Sequence, residues 1–214
     1  MNVKCLTVNM KQENTYVLSS PTRECIIIDC GCKEESERNQ LSSYITENSL
    51  TPVRLLCTHA HLDHMFGAAY VRETYGIRAQ CSHADHILVD MAHFQAVAFA
   101  LDDSEAVIDE PEYTLTDNLI IPFANTEIHV LATPGHSPGG VSFYLPAEKI
   151  LFSGDTLFRH DVGATNLPGA RRAKLLSSIR RLFTLPDDVV VYSGHGLPTT
   201  IGEEKVSNPI VSEL

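Results

Sequence analysis

Nowhere in the 214 residues do 18 uncharged apolar residues run together, so no membrane-spanning helix and no membrane partner are expected. The opening stretch, Met1 to Met10, has no long apolar run of the kind that begins a secretory signal, and a cytoplasmic location is the expectation. No Pro/Gly/Ser-rich linker, low-complexity run or internal repeat divides the chain, which is therefore expected to form one domain over residues 1–214. Positive charge is scarce. The 16 Lys and Arg against 27 Asp and Glu leave a net charge of −11, which repels a phosphate backbone and argues against a nucleic-acid partner. The one basic cluster, Arg171, Arg172, Lys174, Arg180 and Arg181, falls in a helical stretch and reads as a solvated face. Paired Cys-x-x-Cys spacing is missing as well. Of the six cysteines, Cys5, Cys25 and Cys57 lie in apolar strand-like runs where a thiol packs as a small hydrophobe. Cys30 and Cys32 flank Gly31 in a turn without the paired spacing of a zinc module, and Cys81 completes the set. Reduced core cysteines are expected.

What is present reads as a mixed α/β chain, 43% apolar and long enough to bury a substantial core. Short β-branched runs at Val3 to Val8, Thr15 to Leu18 and Cys25 to Asp29 predict an opening antiparallel meander. Leu41, Tyr44 and Ile45 at helical spacing predict a helix over Glu34 to Glu47, followed by a strand over Val53 to Cys57. A helix is predicted from Met65 to Tyr75, ending at Gly76, and a strand from Arg78 to Ser82. The stretch His83 to Glu112 is less regular, with room for one or two helices. Four strands are predicted at Thr114 to Leu119, Glu127 to Ala132, Val141 to Leu145 and Ile150 to Ser153. A helix over Arg172 to Leu182 and a buried strand over Val189 to Tyr192 follow. Helices recurring with strands in each half point to sheets covered by helices.

Four of these strands run into metal-ligand residues. Arg54 to Thr58 leads to His59-Ala60-His61-Leu62-Asp63-His64; Ile128 to Thr133 leads to Pro134-Gly135-His136. Ile150 to Ser153 leads to Gly154-Asp155, and Val189 to Ser193 leads to Gly194-His195. In three of the four a glycine precedes the ligand, which lets the chain turn sharply and aim the next side chain over the sheet edge. Groups at strand ends, on loops fixed by a rigid scaffold, are a common way to build a site. Imidazole and carboxylate suit zinc, iron or manganese. One zinc takes only about three or four protein ligands, so His59, His61, Asp63, His64, His136, Asp155 and His195 imply two metals sharing one ligand. A carboxylate can bridge, which makes Asp63 or Asp155 the shared one.

With its His-x-His-x-Asp-His segment at His59, His61, Asp63 and His64, and the later His136, Asp155 and His195, the chain resembles the metallo-β-lactamase superfamily. The resemblance covers nearly the whole chain and implies an αββα four-layer sandwich with two divalent metals, zinc foremost, with iron or manganese as alternatives. It implies a first metal on His59, His61 and His136, a second on Asp63, His64 and His195, and Asp155 as the bridge. It also implies that a metal-activated hydroxide hydrolyses a small thioester, ester or related acyl substrate, with Asp63 and Asp155 in catalytic roles. Gly154-Asp155-Thr156-Leu157-Phe158 and the stretch from Gly194-His195-Gly196 to Thr199-Thr200-Ile201-Gly202-Glu203-Glu204-Lys205 resemble the glyoxalase-II-like hydrolases, especially short single-domain members. Sulfur dioxygenases resemble the same scaffold and use one iron, held by residues matching His59, His61 or its neighbour, His136 and Asp155, so persulfide oxidation stands as the alternative reaction.

Departures from that pattern bear on the substrate. In full glyoxalase II enzymes a basic residue and a tyrosine contact glutathione, and the matching positions here are Ala164 and Asn166. The short relatives often carry an Arg-Thr-Asp run where this chain has Ala164-Thr165-Asn166. An end near residue 214 leaves no room for the helical C-terminal domain of the larger enzymes, so glutathione thioesters are not the expected substrate. Among the other histidines, His83 and His86 read as surface or capping residues, His129 as outward-facing on a strand, and His160 as close enough to Asp155 to line the site mouth. Met91 to Leu101, with Phe94, Val97 and Phe99, reads as a core helix or as a lid.

Overall fold

The computed structural model of the protein describes residues 1–102 and 107–214, which divide into two compact units, 1–114 and 115–214. The first unit opens with β1 (Asn2–Val8), β2 (Glu13–Ser19) and β3 (Glu24–Ile28), paired antiparallel as the alternating runs predict. Helix α1 (Glu35–Glu47) crosses back, and β4 (Thr51–Leu56) joins β3 in parallel. The N-terminus of α1 is closed by a capping box, in which Glu37 reaches back to the Glu34 amide.

The helix predicted over Met65 to Tyr75 is two helices, α2 (Leu62–Met65) and α3 (Ala68–Tyr75). They break at Phe66-Gly67, where the Gly67 amide donates to the Cys30 carbonyl (2.7 Å) instead of continuing the ladder. Gly76 ends α3 in the left-handed region, as expected. Strand β5 (Ala79–Cys81) pairs parallel with β4. The irregular stretch then resolves into a 3-10 turn at His83–Asp85, α4 (His86–Asp90), α5 (Ala92–Ala98) and the short edge strand β6 (Glu112–Tyr113). Within that stretch, residues 103–106 lie outside the described residues. The six strands stand in the order β1 to β6. Cys25 and Ile27 of β3 and Leu55 of β4 pack with Leu41 and Ile45 of α1 and with Ala68 and Val71 of α3. At about 1.5–3 kcal/mol for each large side chain removed from water, this cluster dominates the stability of the unit.

The second unit corrects one strand. Thr114 to Leu119 is not extended, because Asp117-Asn118 makes a turn with Asn118 at φ 61°. The strand is β7 (Ile120–Phe123), whose Pro122 is tolerated at the sheet edge. Next come β8 (Thr126–Ala132), β9 (Val141–Leu145) and β10 (Ile150–Gly154), then a small hairpin of β11 (Leu157–Phe158) and β12 (Asp161–Val162). Helix α6 (Arg172–Leu182) buries Leu175, Ile179 and Leu182 on one face. Its basic residues serve local partners: Arg172 pairs with Glu213, Arg181 pairs with Asp117, and Arg180 donates to the Leu214 carbonyl. The chain closes with β13 (Val190–Ser193), β14 (Thr199–Thr200), α7 (Ile201–Ser207) and a 3-10 turn at Pro209–Glu213. The second sheet is ordered β14-β13-β10-β9-β8-β7.

All six cysteines are free thiols. Five are buried, and burial pushes the Cys25 thiol up to about 12. Cys5 departs from expectation: it sits on edge strand β1 with its side chain exposed.

Candidate metal centre

In each unit, strand direction decides where the ligands fall. Strands β3 and β4 run parallel, so Asp29, just past β3, lies beside the segment that leaves β4 toward His59. The Asp29 amide donates to the Leu56 carbonyl at 2.9 Å. Past that edge His59, His61, Asp63 and His64 are all buried. The His59 ring is 4.7 Å from His61 and 4.1 Å from His64, centroid to centroid, and His64 Nε2 stands 4.0 Å from Asp63 Oδ2.

The hydrogen bonds beneath these rings choose their tautomers. Asp29 Oδ1 accepts from the Thr58 amide (2.7 Å), and Oδ2 accepts from the Thr58 hydroxyl (2.8 Å) and faces His64 Nδ1 (3.0 Å). Since the Thr58 hydroxyl spends its hydrogen on Asp29, its oxygen accepts from His59 Nδ1 at 3.0 Å. Both rings therefore carry the proton on Nδ1 and present the Nε2 lone pair, the form a metal requires. The loop is also held from the other side: the Ala60 amide donates to buried Asp85 (3.1 Å) and the Leu62 amide to Gln95 Oε1 (2.9 Å). Helix α5, which carries Gln95, buries Ala92 and Ala96 in the core, while Phe94 is 67% and Val97 65% exposed.

Nearby, Asn9 Nδ2 donates to the Gly31 and Asp63 carbonyls, both at 2.9 Å. The Gly31 amide donates to Thr15 Oγ1 and the Thr15 hydroxyl to Glu13 Oε2. Burial holds the Glu13 carboxyl well above the usual carboxylate range, and the His64 imidazole works against that rise.

The second unit gathers the other three. Strand β10 runs parallel to β13 and antiparallel to β9, which is antiparallel to β8. So β8, β10 and β13 point the same way, and His136, Asp155 and His195, which follow them, emerge at one edge. Asp155 Oδ2 lies 3.5 Å from His136 Nε2 and 3.5 Å from His195 Nε2. Of the three glycines expected to turn the chain, Gly135 and Gly154 have left-handed φ and Gly194 does not. His136 Nδ1 donates to the Ala164 carbonyl (2.9 Å), which places the ring's proton on Nδ1 as in His59 and His64. Gly163 packs so closely on the Asp155 carbonyl and on the His136 Cβ that a side chain there would overlap both. Ala164 and Asn166 expose their side chains in a loop, Gly163 to Gly169, that carries no charge.

His160, expected near the mouth, directs Nε2 to Glu203 Oε1 at 3.1 Å. His83 and His86 are exposed and stack on each other, with His86 also facing Asp90, in keeping with surface roles.

The metallo-β-lactamase superfamily model matches residues 8–195, and this range includes all seven ligand positions. The chain belongs to the metallo-β-lactamase superfamily. It is 33% identical to the hydroxyacylglutathione hydrolase GloC of Haemophilus influenzae, with 99% of each chain covered. Two solved structures align closely. One is the BLEG-1 B3 metallo-β-lactamase (TM-score 0.87, 35% identity, 99% of this chain and 100% of that one), and the other is TTHA1623 in a di-iron-bound form (TM-score 0.85, 35% identity, 97% and 100%). The α/β fold class of this superfamily, read from the residues, is borne out. The protein is a glyoxalase-II-like, metal-dependent hydrolase. No helix among the described residues is long and apolar enough to cross a membrane.

Asp29, Thr58 and Asn9 were not among the residues singled out from the sequence. A signal was there for Asp29: it too ends a strand and precedes a turn, by the same rule that found the other four ligand-bearing strands.

Proposed function

We propose that the two units act as one domain over residues 1–214, in which the two ligand sets form a single dinuclear centre. In this reading His59, His61 and His136 would hold one divalent ion, Asp63, His64 and His195 would hold the other, and Asp155 would serve both. The observation that carries the reading is the tautomer pattern: His59, His64 and His136 each have Nδ1 tied to an oxygen, so each offers Nε2 to a metal. Zinc is the ion we assign; iron and manganese suit the same donors. Bound in pairs, such ions supply Lewis acidity and lower the pKa of water from about 16 to about 7, so hydrolysis needs no serine or cysteine nucleophile.

The residues do the remaining work. Asp63 and Asp155 supply the negative charge that offsets the ions, and Asp155 is placed to accept a proton within reach of His136 and His195. On His59, His64 and His136 the Nδ1 hydrogen bonds orient the rings and direct Nε2 toward the place an ion would take. With only Asp63 and Asp155 contributing negative charge among the seven residues, a pair of divalent ions held there would leave the site net positive, which would favour a carbonyl that gains negative charge in the transition state.

We assign as substrate a small thioester, ester or related acyl compound, handled in the cytoplasm, where six unbridged thiols are at home. The similar Haemophilus influenzae protein is named for hydroxyacylglutathione. Ala164 and Asn166 give this chain neither the basic group nor the tyrosine that would grip glutathione, so the thiol half contributes little to recognition. The test is metal quantification on protein purified without added metal, followed by three assays. These use a glutathione thioester, the same acyl group on N-acetylcysteamine, and a persulfide. Two metals per chain are expected, with kcat/KM on the neutral thioester at least equal to that on the glutathione ester. One iron per chain with oxygen consumed on the persulfide would overturn the hydrolytic reading.

A further inference from the structure

The Thr199-Thr200-Ile201-Gly202-Glu203-Glu204 stretch lies past the last ligand, and the proposed chemistry makes no use of it. Glu204 is nevertheless fully buried, near the start of the seven-residue helix α7. An ionised carboxylate there is costly unless donors surround it. Three do. Oε1 accepts from the Thr199 hydroxyl (2.6 Å), and Oε2 accepts from Asn208 Nδ2 (2.7 Å) and from the His160 amide (2.8 Å). Asn208 Nδ2 also donates to the Asp161 carbonyl at 3.0 Å and reaches the Phe158 carbonyl at 3.5 Å.

His160, Asp161 and Phe158 belong to the β11–β12 hairpin and its tip. His160 sits there at φ 61°, a conformation unfavourable for a non-glycine residue that persists only where its surroundings hold it. The hairpin starts two residues after Asp155 and ends one residue before Gly163. Its near strand is fixed to β10 through the Ser153 hydroxyl, which donates to the Leu157 carbonyl at 2.8 Å. Beyond its far strand, Gly163 packs on the Asp155 carbonyl and the Ala164 carbonyl accepts from His136 Nδ1. The ring of Phe158 meets that of His195 edge-on at 6.2 Å. The hairpin reaches His195 through Phe158, and the two residues that follow it, Gly163 and Ala164, reach Asp155 and His136, while α7 grips the hairpin by its tip.

We infer that Glu204 and Asn208 are positioning residues: by clamping the hairpin they set the tautomer of His136 and the placement of Asp155 and His195. Neither side chain touches a ligand; both act through the backbone of residues 158–164. The link to metal binding and turnover rests on the function proposed above, whereas the link to the His136 tautomer does not. This reading also assigns His160 a backbone role in place of a substrate contact.

The test compares E204Q and N208A with K205A. Lys205 ties α7 to the Leu185 carbonyl and to Asp187 and leaves the hairpin alone, so K205A reports the effect of loosening the helix by itself. Three readouts are taken: nitrogen-15 imidazole shifts of His136 in metal-free protein, deuterium exchange at the His160 amide, and zinc affinity with kcat and KM on the thioester. E204Q leaves one acceptor oxygen for Asn208 Nδ2 and the His160 amide, loses the charge-assisted bonds, and fits its NH2 beside Thr199 only if that hydroxyl reverses from donor to acceptor. It is expected to mix the His136 tautomers, speed exchange at His160, weaken zinc binding about tenfold and lower kcat about tenfold, with KM within about twofold. N208A is expected to do the same more mildly, and it serves if E204Q fails to fold. Variants with the wild-type His136 tautomer and K205A-like zinc affinity would overturn the inference. Wild-type protein that binds no metal pair, yet loses its single His136 tautomer in E204Q, would sink the proposed function and leave the clamp standing.

Discussion

Replacing Asp29 with asparagine keeps the shape of the side chain and removes one acceptor. In the protein, Asp29 Oδ1 takes the Thr58 amide, while Oδ2 faces two donors, the Thr58 hydroxyl and His64 Nδ1. An amide whose oxygen serves the Thr58 amide must point its NH2 at both of those donors. The Thr58 hydroxyl can rotate away, but its oxygen then no longer has the same hold on His59 Nδ1. His64 has a worse choice, since it can accept from the new NH2 only by moving its proton to Nε2, the atom meant for a metal. Unmet buried donors of this kind cost about 1–3 kcal/mol, and this loss should appear as a lower urea midpoint for metal-free D29N in chelator. Loss of a carboxylate behind a metal-binding imidazole typically weakens metal affinity about 10- to 100-fold, or about 1.4–2.8 kcal/mol at 1.4 kcal/mol per decade. Competition against a fluorescent chelator would measure it, with T58V as a comparison that spares the His64 contact. D29N with wild-type zinc affinity at every site would refute the reasoning even if the protein were less stable, because the tautomer would then not depend on Asp29.

Asp155→Ala is expected to lower occupancy of both metals and His195→Ala mainly of one, read by metal analysis after dialysis; equal loss in the two variants would refute the bridging assignment. A thiol reagent should modify one cysteine rapidly in the native protein, exposed Cys5, and all six in denaturant; several fast thiols in the native state would contradict the packing. Asp117 is a stability site with a pH signature. Burial raises its carboxyl, but the Ala132 amide and the Arg181 guanidinium outweigh that and hold it below the usual value of 3.8. A depressed folded-state pKa contributes stability that is present above the unfolded pKa and fades as pH falls through the folded one. Asp117→Asn should therefore lower stability at neutral pH, by less than about 1 kcal/mol for so exposed a pair, with the difference fading as pH falls below the usual value of 3.8. A deficit that persisted in acid would point to a lost hydrogen bond in place of the charge.

The elements most legible in the sequence were those whose own residues fix them. Helix α6 stands at the predicted bounds because Leu175, Ile179 and Leu182 recur at helical spacing between basic residues. The strands of the opening meander follow from their alternating runs in the same way. Misreadings came where a distant partner decided. The helix expected from Met65 to Tyr75 breaks because the Gly67 amide is taken by Cys30, more than thirty residues earlier. The strand stands at Ile120–Phe123 and not at Thr114 to Leu119, and its Pro122, which has no amide to give a ladder, is accommodated because β7 is the edge of its sheet. Helix α7 did carry a local sign, Thr200 three residues before Glu203, and the Thr200 hydroxyl does accept from the Glu203 amide at 3.1 Å.

By itself the sequence determined the candidate ligands: five histidines and two aspartates, all on the segments that follow four strands. Ligand identity is a matter of residue type, and strand-then-ligand order is written along the chain. Tertiary structure decided what those ligands are ready to do. The proton on His59, His64 and His136 is placed by Thr58, Asp29 and the Ala164 carbonyl, and Asp29 lies some thirty residues or more from the histidines it serves. A hydrogen bond across such a separation has no periodicity or spacing to reveal it. It exists only because parallel strands β3 and β4 bring their ends together, and because a helix at the far end of the chain closes on the hairpin after Asp155.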